Sequence, residues 1–180
     1  DVVDYPSLYR WSVEHRAELW RLIATYFDVA AESASGSRGP WDDAGVGLDR
    51  MAPPDRTLGP RWFPDVRLNF AENLLRFDDD REALVLWTES GRQRALTFSE
   101  LRREVARVAA ALREIGVRVG DRVASWMPNV PESVIAMLAT ASLGAVWSSC
   151  SPDFGVKGVL DRFGQIAPRV LVIADGYRYA

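Results

Sequence analysis

The chain is poor in the residues from which many protein sites are built. Its 180 residues include one cysteine, Cys150, one histidine, His15, and one lysine, Lys157. A single cysteine excludes an intrachain disulfide and fits a reducing cytoplasm. One Cys and one His cannot make a transition-metal site of the ordinary kind, so no metal site is expected. As a nucleophile Cys150 would need a base, and His15 sits far away in an N-terminal helical segment. Cys150 is therefore read as a structural thiol. Long apolar runs are also missing; none approaches the roughly 18 residues that a membrane-spanning helix needs. The start, DVVDYPSLYRW, has no basic stretch leading into an apolar one, so no secretory signal is expected. It also lacks an initiator Met, which gives the expectation of numbering that begins inside a longer chain. Neither G-x-G-x-x-G nor G-x-x-x-x-G-K-[ST] occurs, so the dinucleotide fingerprint and the common phosphate loop are both absent. No excess of positive charge is present either. The net charge of -3 gives no reason to expect nucleic acid or an anionic membrane as a partner. Arginine outnumbers lysine twenty-one to one, a skew uniform enough to reflect base composition rather than function.

What is present is the balance of a globular protein, 48% apolar and 26% charged, in a chain long enough for a sizeable core. Residues 7–28 place Leu8, Trp11, Leu19, Trp20, Ile23 and Phe27 at three- and four-residue spacings, the mark of a helix with one apolar stripe. Ser12 is the expected N-cap of its second part. Residues 31–60 are rich in Gly, Pro, Ser and Asp and read as an irregular connection lying over a surface, pinned by Trp41 and Trp62. A short helix is expected at 68–76, with Leu68, Ala71, Leu74 and Leu75 on one side. A β-hairpin follows, Ala83–Thr88 and Arg94–Phe98 around Glu89-Ser90-Gly91-Arg92.

Thr97-Phe98-Ser99-Glu100 is a capping box, and the helix it opens carries Leu101, Val105, Val108, Leu112 and Ile115 before Gly116 closes it. Then strands alternate with helices: strand Arg122–Met127, helix Pro131–Leu143, strand Ala145–Ser149, helix Val156–Ile166, strand Val170–Ala174. That order implies parallel pairing through right-handed crossovers. The fold class is α/β: an N-terminal helical and irregular region over 1–80, then the first βα units of a larger domain over 81–180.

Three constellations could carry chemistry. Ser35-Gly36-Ser37-Arg38-Gly39-Pro40 superficially resembles a phosphate loop, but a helix precedes it and Pro-rich chain follows, so its amides have no reason to converge. It is read as linker. The acid run Asp78-Asp79-Asp80 is read as a solvated turn, and the seven tryptophans as core or interface anchors. The loop Ser148–Gly155 differs, because it leaves the carboxyl end of a parallel strand and feeds a helix, where open α/β sheets place ligands. Its hydroxyls and the helix N-terminus suit an anion, and Arg162 lower on that helix could reach a phosphate. On position alone, Asp161 and Arg162 as a surface charge pattern is the plainer reading.

Several motifs together resemble a known family. Asp121-Arg122-Val123, Met127-Pro128-Asn129 with Pro131-Glu132, and Leu138-Ala139 with Leu143-Gly144-Ala145 are similar to the opening pattern of the adenylate-forming acyl-CoA synthetases. Leu68-Asn69-Phe70-Ala71-Glu72-Asn73-Leu74-Leu75 resembles the acetyl-CoA synthetase branch. The stretch SPDFGVKGVLDRFGQIAPRVL, with DGYRY after it, resembles the acetoacetyl-CoA synthetase branch. The likeness covers about residues 5–28 and 60–180. Residues 31–60 match little, Asp65 stands where Gly is usual, and Pro152-Asp153 replaces the Gly-Gly of some relatives.

The resemblance implies an ATP-dependent acid–thiol ligase. Acetoacetate and MgATP would give an acyl-adenylate and pyrophosphate, and CoA would then take the acyl group. The expected cofactors are ATP, CoA and Mg, and the expected partners are these small molecules and the rest of the ligase chain. The family's phosphate loop, adenine site and C-terminal lysine are not among these residues, so no catalytic residue is assigned and the segment alone is expected to be inactive. Carried over by position, Arg162 lies near the CoA 3′-phosphate, and the loop with Ser151, Phe154 and Gly155 lies near that nucleotide. Two alternatives stay open: another short-chain ligase (acetate, propionate), or an inactive stand-alone fragment acting as a binding module. Sheet edges bared by missing strands give the further expectation that the segment alone folds poorly.

Overall fold

A computed structural model describes residues 2–36, 39–48 and 59–176. The chain divides into two compact units, 1–68 and 69–180.

The first unit opens with helices α1 (Tyr5–Glu14) and α2 (Arg16–Tyr26). Asp4 caps α1: its carboxylate accepts the Ser7 N–H at 2.8 Å, and the Ser7 hydroxyl accepts the Asp4 N–H at 3.1 Å. The Ser7 side chain, followed by the Ser7 amide, holds the Asp4 carboxyl below its ordinary value. The helical stretch expected over 7–28 does fall into two parts, but the break lies at His15, whose backbone (φ -114, ψ 48) leaves the helical region. Ser12 is not a cap. Its hydroxyl donates to the Tyr9 carbonyl at 2.7 Å, the back-bonding that serine makes inside a helix. The apolar stripe is also less buried than its spacing suggests: Leu8, Trp20 and Phe27 are exposed, and Ala24 alone in these helices is buried.

Past α2 the unit is tied by two-residue antiparallel pairs. β1 (Glu32–Ser33) meets β4 (Val66–Arg67), and β2 (Gly45–Val46) meets β3 (Arg61–Trp62). The tryptophans do pin this connection: Trp41 packs edge-on against Phe63 at 5.2 Å and Trp62 against Trp20 at 6.5 Å. Arg21 adds hydrogen bonds to the Trp41 and Asp42 carbonyls at 2.9 and 3.0 Å. Asp65 accepts from the Ser33 hydroxyl (2.5 Å), the Ser35 amide (2.8 Å) and the Ser35 hydroxyl (2.8 Å). Of the phosphate-loop candidate, residues 37 and 38 lie outside the described residues. Ser35 is committed to Asp65, and the Gly36 amide to the Ser33 hydroxyl.

The second unit begins at α3 (Phe70–Leu74), shorter than the expected 68–76 because Asn69 caps it and leaves Leu68 outside and exposed. Asn69 also donates to the Ala141 carbonyl at 3.0 Å. β5 (Glu82–Thr88) and β6 (Gly91–Thr97) form the hairpin, its turn only Glu89-Ser90 because Thr88 pairs directly with Gly91. The preceding acid run is not wholly solvated. Asp79 holds the Arg81 guanidinium and amide, and Arg81 lies over the Phe77 and Phe98 rings at 4.7 and 5.4 Å.

Thr97 and Glu100 form the capping box of α4 (Phe98–Glu114). Leu101, Val105, Ala109 and Leu112 are buried, while Ile115, past the last helical residue, is exposed. Gly116 (φ 86) then makes the left-handed turn that returns the Val117 amide to the Leu112 carbonyl at 2.9 Å.

The parallel sheet has the order β8 (Val146–Cys150), β7 (Arg122–Trp126), β9 (Val170–Ile173). Alternation along β7 separates two cores. Val123 belongs with Ile135, Leu138 and Ala139 of α5 (Pro131–Ser142) and with the buried face of α4. Ala124 belongs with Cys150 and with Val159 and Phe163 of α6 (Gly155–Ile166). The reason is topological: the chain steps from β7 to β8 on one side, then crosses back to place β9 on the other. Right-handed crossovers in opposite directions put their helices on opposite faces. This is the doubly wound α/β arrangement, and strand order reverses beside β7.

Candidate functional site

The carboxyl ends of β7, β8 and β9 form the edge where such sheets bind ligands. After β8 the loop is short and highly ordered by its own bonds. Ser151 starts a 3-10 turn, Pro152–Phe154; its hydroxyl donates to the Asp153 carboxylate at 2.9 Å. Gly155 follows with φ 59 and ψ 170, a conformation nearly confined to glycine, and opens α6. Val159 and Phe163 anchor that helix against the sheet, which sends residues 154, 158 and 162 outward. Phe154 is 46% exposed. The Arg162 guanidinium lies 4.0 Å from the centre of the Phe154 ring, and its Nη1 donates to the Gly158 carbonyl at 3.0 Å.

Of the four residues singled out from sequence, the structure thus joins Phe154 and Arg162 directly. Gly155 is the hinge between loop and helix. The Ser151 hydroxyl is turned toward Asp153 instead. Arg162 has no carboxylate partner among the described residues, so its charge is available to an anion. Cys150 is buried against Ala124, Val159 and Phe163, the environment of a structural thiol. Among the described residues no group of three or more His, Cys, Asp or Glu could hold a metal ion, and no helix is long and apolar enough to cross a membrane.

Two polar groups went unnoticed in the sequence. The Ser125 hydroxyl and the Trp126 indole N–H are buried at the carboxyl end of β7 with no partner among the described residues. A serine in the middle strand of a parallel sheet was the available signal, since both faces of such a strand are covered.

Comparison with known proteins gives the family. Residues 70–179 match the AMP-binding enzyme family. Acetoacetyl-coenzyme A synthetase of Rhizobium meliloti (strain 1021) is 47% identical over 176 residues, covering 98% of this chain and 25% of that protein. Acetoacetyl-CoA synthetase of Xenopus tropicalis is 41% identical over 186 residues, covering 99% and 25%. The solved structure of acetoacetyl-CoA synthetase from Streptomyces lividans superimposes with a TM-score of 0.83 at 41% identity, covering 99% of this chain and 26% of that one. The chain therefore spans about a quarter of the length of the relatives it matches. With the doubly wound sheet, its loop after β8 and the family match over residues 70–179, the chain belongs to the AMP-binding enzymes.

Proposed function

We propose that this chain is the N-terminal part of an AMP-forming acetoacetate–CoA ligase working in the cytoplasm. The observation that carries the reading is the 47% identity over nearly the whole chain to a protein named acetoacetyl-coenzyme A synthetase. In the proposed reaction the acetoacetate carboxylate attacks the α-phosphate of ATP and displaces pyrophosphate. The CoA thiol then attacks the acyl carbonyl of the adenylate, AMP leaves, and the thiol proton is lost. Each step needs negative charge neutralised and water kept from the mixed anhydride.

The described residues fit only part of this chemistry. A phosphate of the CoA nucleotide suits the carboxylate-free Arg162 guanidinium beside the Ser151–Gly155 loop, and we assign it there. The described residues do not fit MgATP, having no acidic cluster of the size a metal needs. We assign ATP, Mg and the catalytic groups to the rest of the ligase chain.

The test is acid-dependent exchange of pyrophosphate into ATP by the ligase that carries this chain, with acetoacetate, acetate and propionate compared. The expected result is a kcat/KM for acetoacetate at least about tenfold above the others, a margin of 1.4 kcal/mol in transition-state binding. A preference for acetate or propionate would move the chain to another short-chain ligase. No exchange with any acid would favour a binding module.

A further inference from the structure

We propose that Phe154 and Gly158 are positioning residues that hold the Arg162 guanidinium at the loop after β8. The inference rests on the reading of Arg162 as a contact for a CoA phosphate. Residues 154, 158 and 162 are spaced four apart, so they share one line along α6. Residues eight apart on a helix do not normally touch, because the side chain between them intervenes. Here the position between is glycine. The Arg162 side chain runs back over that bare backbone toward the N-terminus, as helical side chains do, and reaches the Phe154 ring at 4.0 Å.

A Cβ at Gly158 would lie 3.4 Å from Arg162 Nη1 and 3.4 Å from Phe154 Cβ, in contact with both partners at once. Alanine fits at that distance; a longer side chain must displace the guanidinium or the ring. Glycine is among the weakest helix formers, so its place inside α6 is accounted for by the packing it permits. Nor is Phe154 explained by the core, since it is 46% exposed and absent from both buried clusters. What the ring does is supply a face for a cation that no carboxylate among the described residues holds. A carboxylate partner would neutralise the charge an anionic ligand needs, whereas an aromatic face orients the guanidinium and leaves its charge available.

The experiment uses the ligase that carries this chain, with two readouts. In protein labelled at arginine, ring-current shifts of the Arg162 side-chain protons report stacking on Phe154 without reference to CoA. They are expected to vanish in Phe154→Leu and Gly158→Leu, to weaken less in Gly158→Ala, and to return in Phe154→Tyr. In steady-state kinetics, Arg162→Ala is expected to raise the CoA KM by about 10- to 100-fold, the weight of a hydrogen bond to a charged group. Phe154→Leu and Gly158→Leu are expected to raise it about 2- to 5-fold, the weight of an exposed cation–π contact, with kcat and the ATP KM unmoved and Phe154→Tyr restoring the wild-type value. If Arg162→Ala raises the CoA KM while Phe154→Leu and Gly158→Leu do not, positioning is wrong and the CoA reading stands. An unchanged CoA KM in Arg162→Ala overturns both. Ring-current shifts that persist in Gly158→Leu overturn the role of the glycine.

Discussion

The two units are held in order by different means. In the second, strands of four to seven residues and three helices of 12 to 17 residues bury Val123, Ala139, Phe163 and their neighbours on both faces of a parallel sheet. In the first, the paired strands are only two residues long, two hydrophobic residues are buried among the described residues (Ala24 and Ala44), and most large apolar side chains of the helices are exposed. Its order comes from discrete polar ties at Asp4, Arg21 and Asp65 and from ring contacts among Trp20, Trp41, Trp62 and Phe63. Apolar burial is additive and written in periodicity. Polar ties are few, local and written in single residues.

The comparison breaks most visibly where one side chain holds a whole helix. Phe163 is 6% exposed between α6 and the sheet, so Phe163→Ala is expected to cost about 3–5 kcal/mol through lost burial and the cavity left behind. A shift of the urea midpoint at unchanged slope would measure it, and a loss below about 1 kcal/mol would show that α6 is not docked as described. Next in size is Gly155→Ala. Nothing would collide with the new methyl group, so the cost is the backbone conformation alone, about 1–3 kcal/mol. Gly164→Ala, in the same helix with equally open space but no positive φ, is the control and is expected to stabilise the helix slightly.

That contrast between burial and ties also decides what was legible in the sequence. The five elements from Arg122 to Ile173 fall within a residue or so of the expected boundaries, because alternating apolar strands and one-faced helices leave little choice of period. A break in the N-terminal helical stretch was expected at Ser12, but its place at His15 was not legible. Glu14-His15-Arg16 contains neither Gly nor Pro to mark it. Asp65 was visible only as a departure from the family's usual Gly, with no hint that Ser33 and Ser35, 32 and 30 positions earlier, would supply its partners. At the candidate site, the loop was legible from strand–loop–helix order. The Arg162–Phe154 contact was not, because Gly158 reads from sequence only as a weak point in a helix.

A middle-sized effect tests the one feature whose single residues and periodicity agree. Thr97 accepts the Glu100 amide at 3.2 Å, while the Glu100 carboxylate accepts the Thr97 amide at 2.9 Å. Thr97→Ala is expected to lower stability by about 1 kcal/mol, with Thr97→Ser recovering most of it. A drop as large as that of Phe163→Ala would mean that α4 depends on its cap more than on its buried face.

The smallest global effect should be at Asp65, and there the comparison sharpens. The Ser33 and Ser35 hydroxyls, followed by the Ser35 amide, hold its carboxyl below the ordinary value of 3.8. Because the folded value is depressed, the carboxylate contributes its stability fully above the unfolded value, and the contribution is lost as pH falls through the lowered folded value. Acid should therefore loosen the β1–β4 pair while the sheet, whose core carries no carboxylate, stays closed. Hydrogen exchange read residue by residue at neutral and acid pH would separate the two. The expected outcome is that Asp65→Asn removes the acid sensitivity of protection at the Ser35 amide, with protection in β7 unaltered. If protection in β7 fell together with that of Ser35 in the variant, the polar tie would be supporting the apolar core as well. The division between the units' means of support would then have to be abandoned.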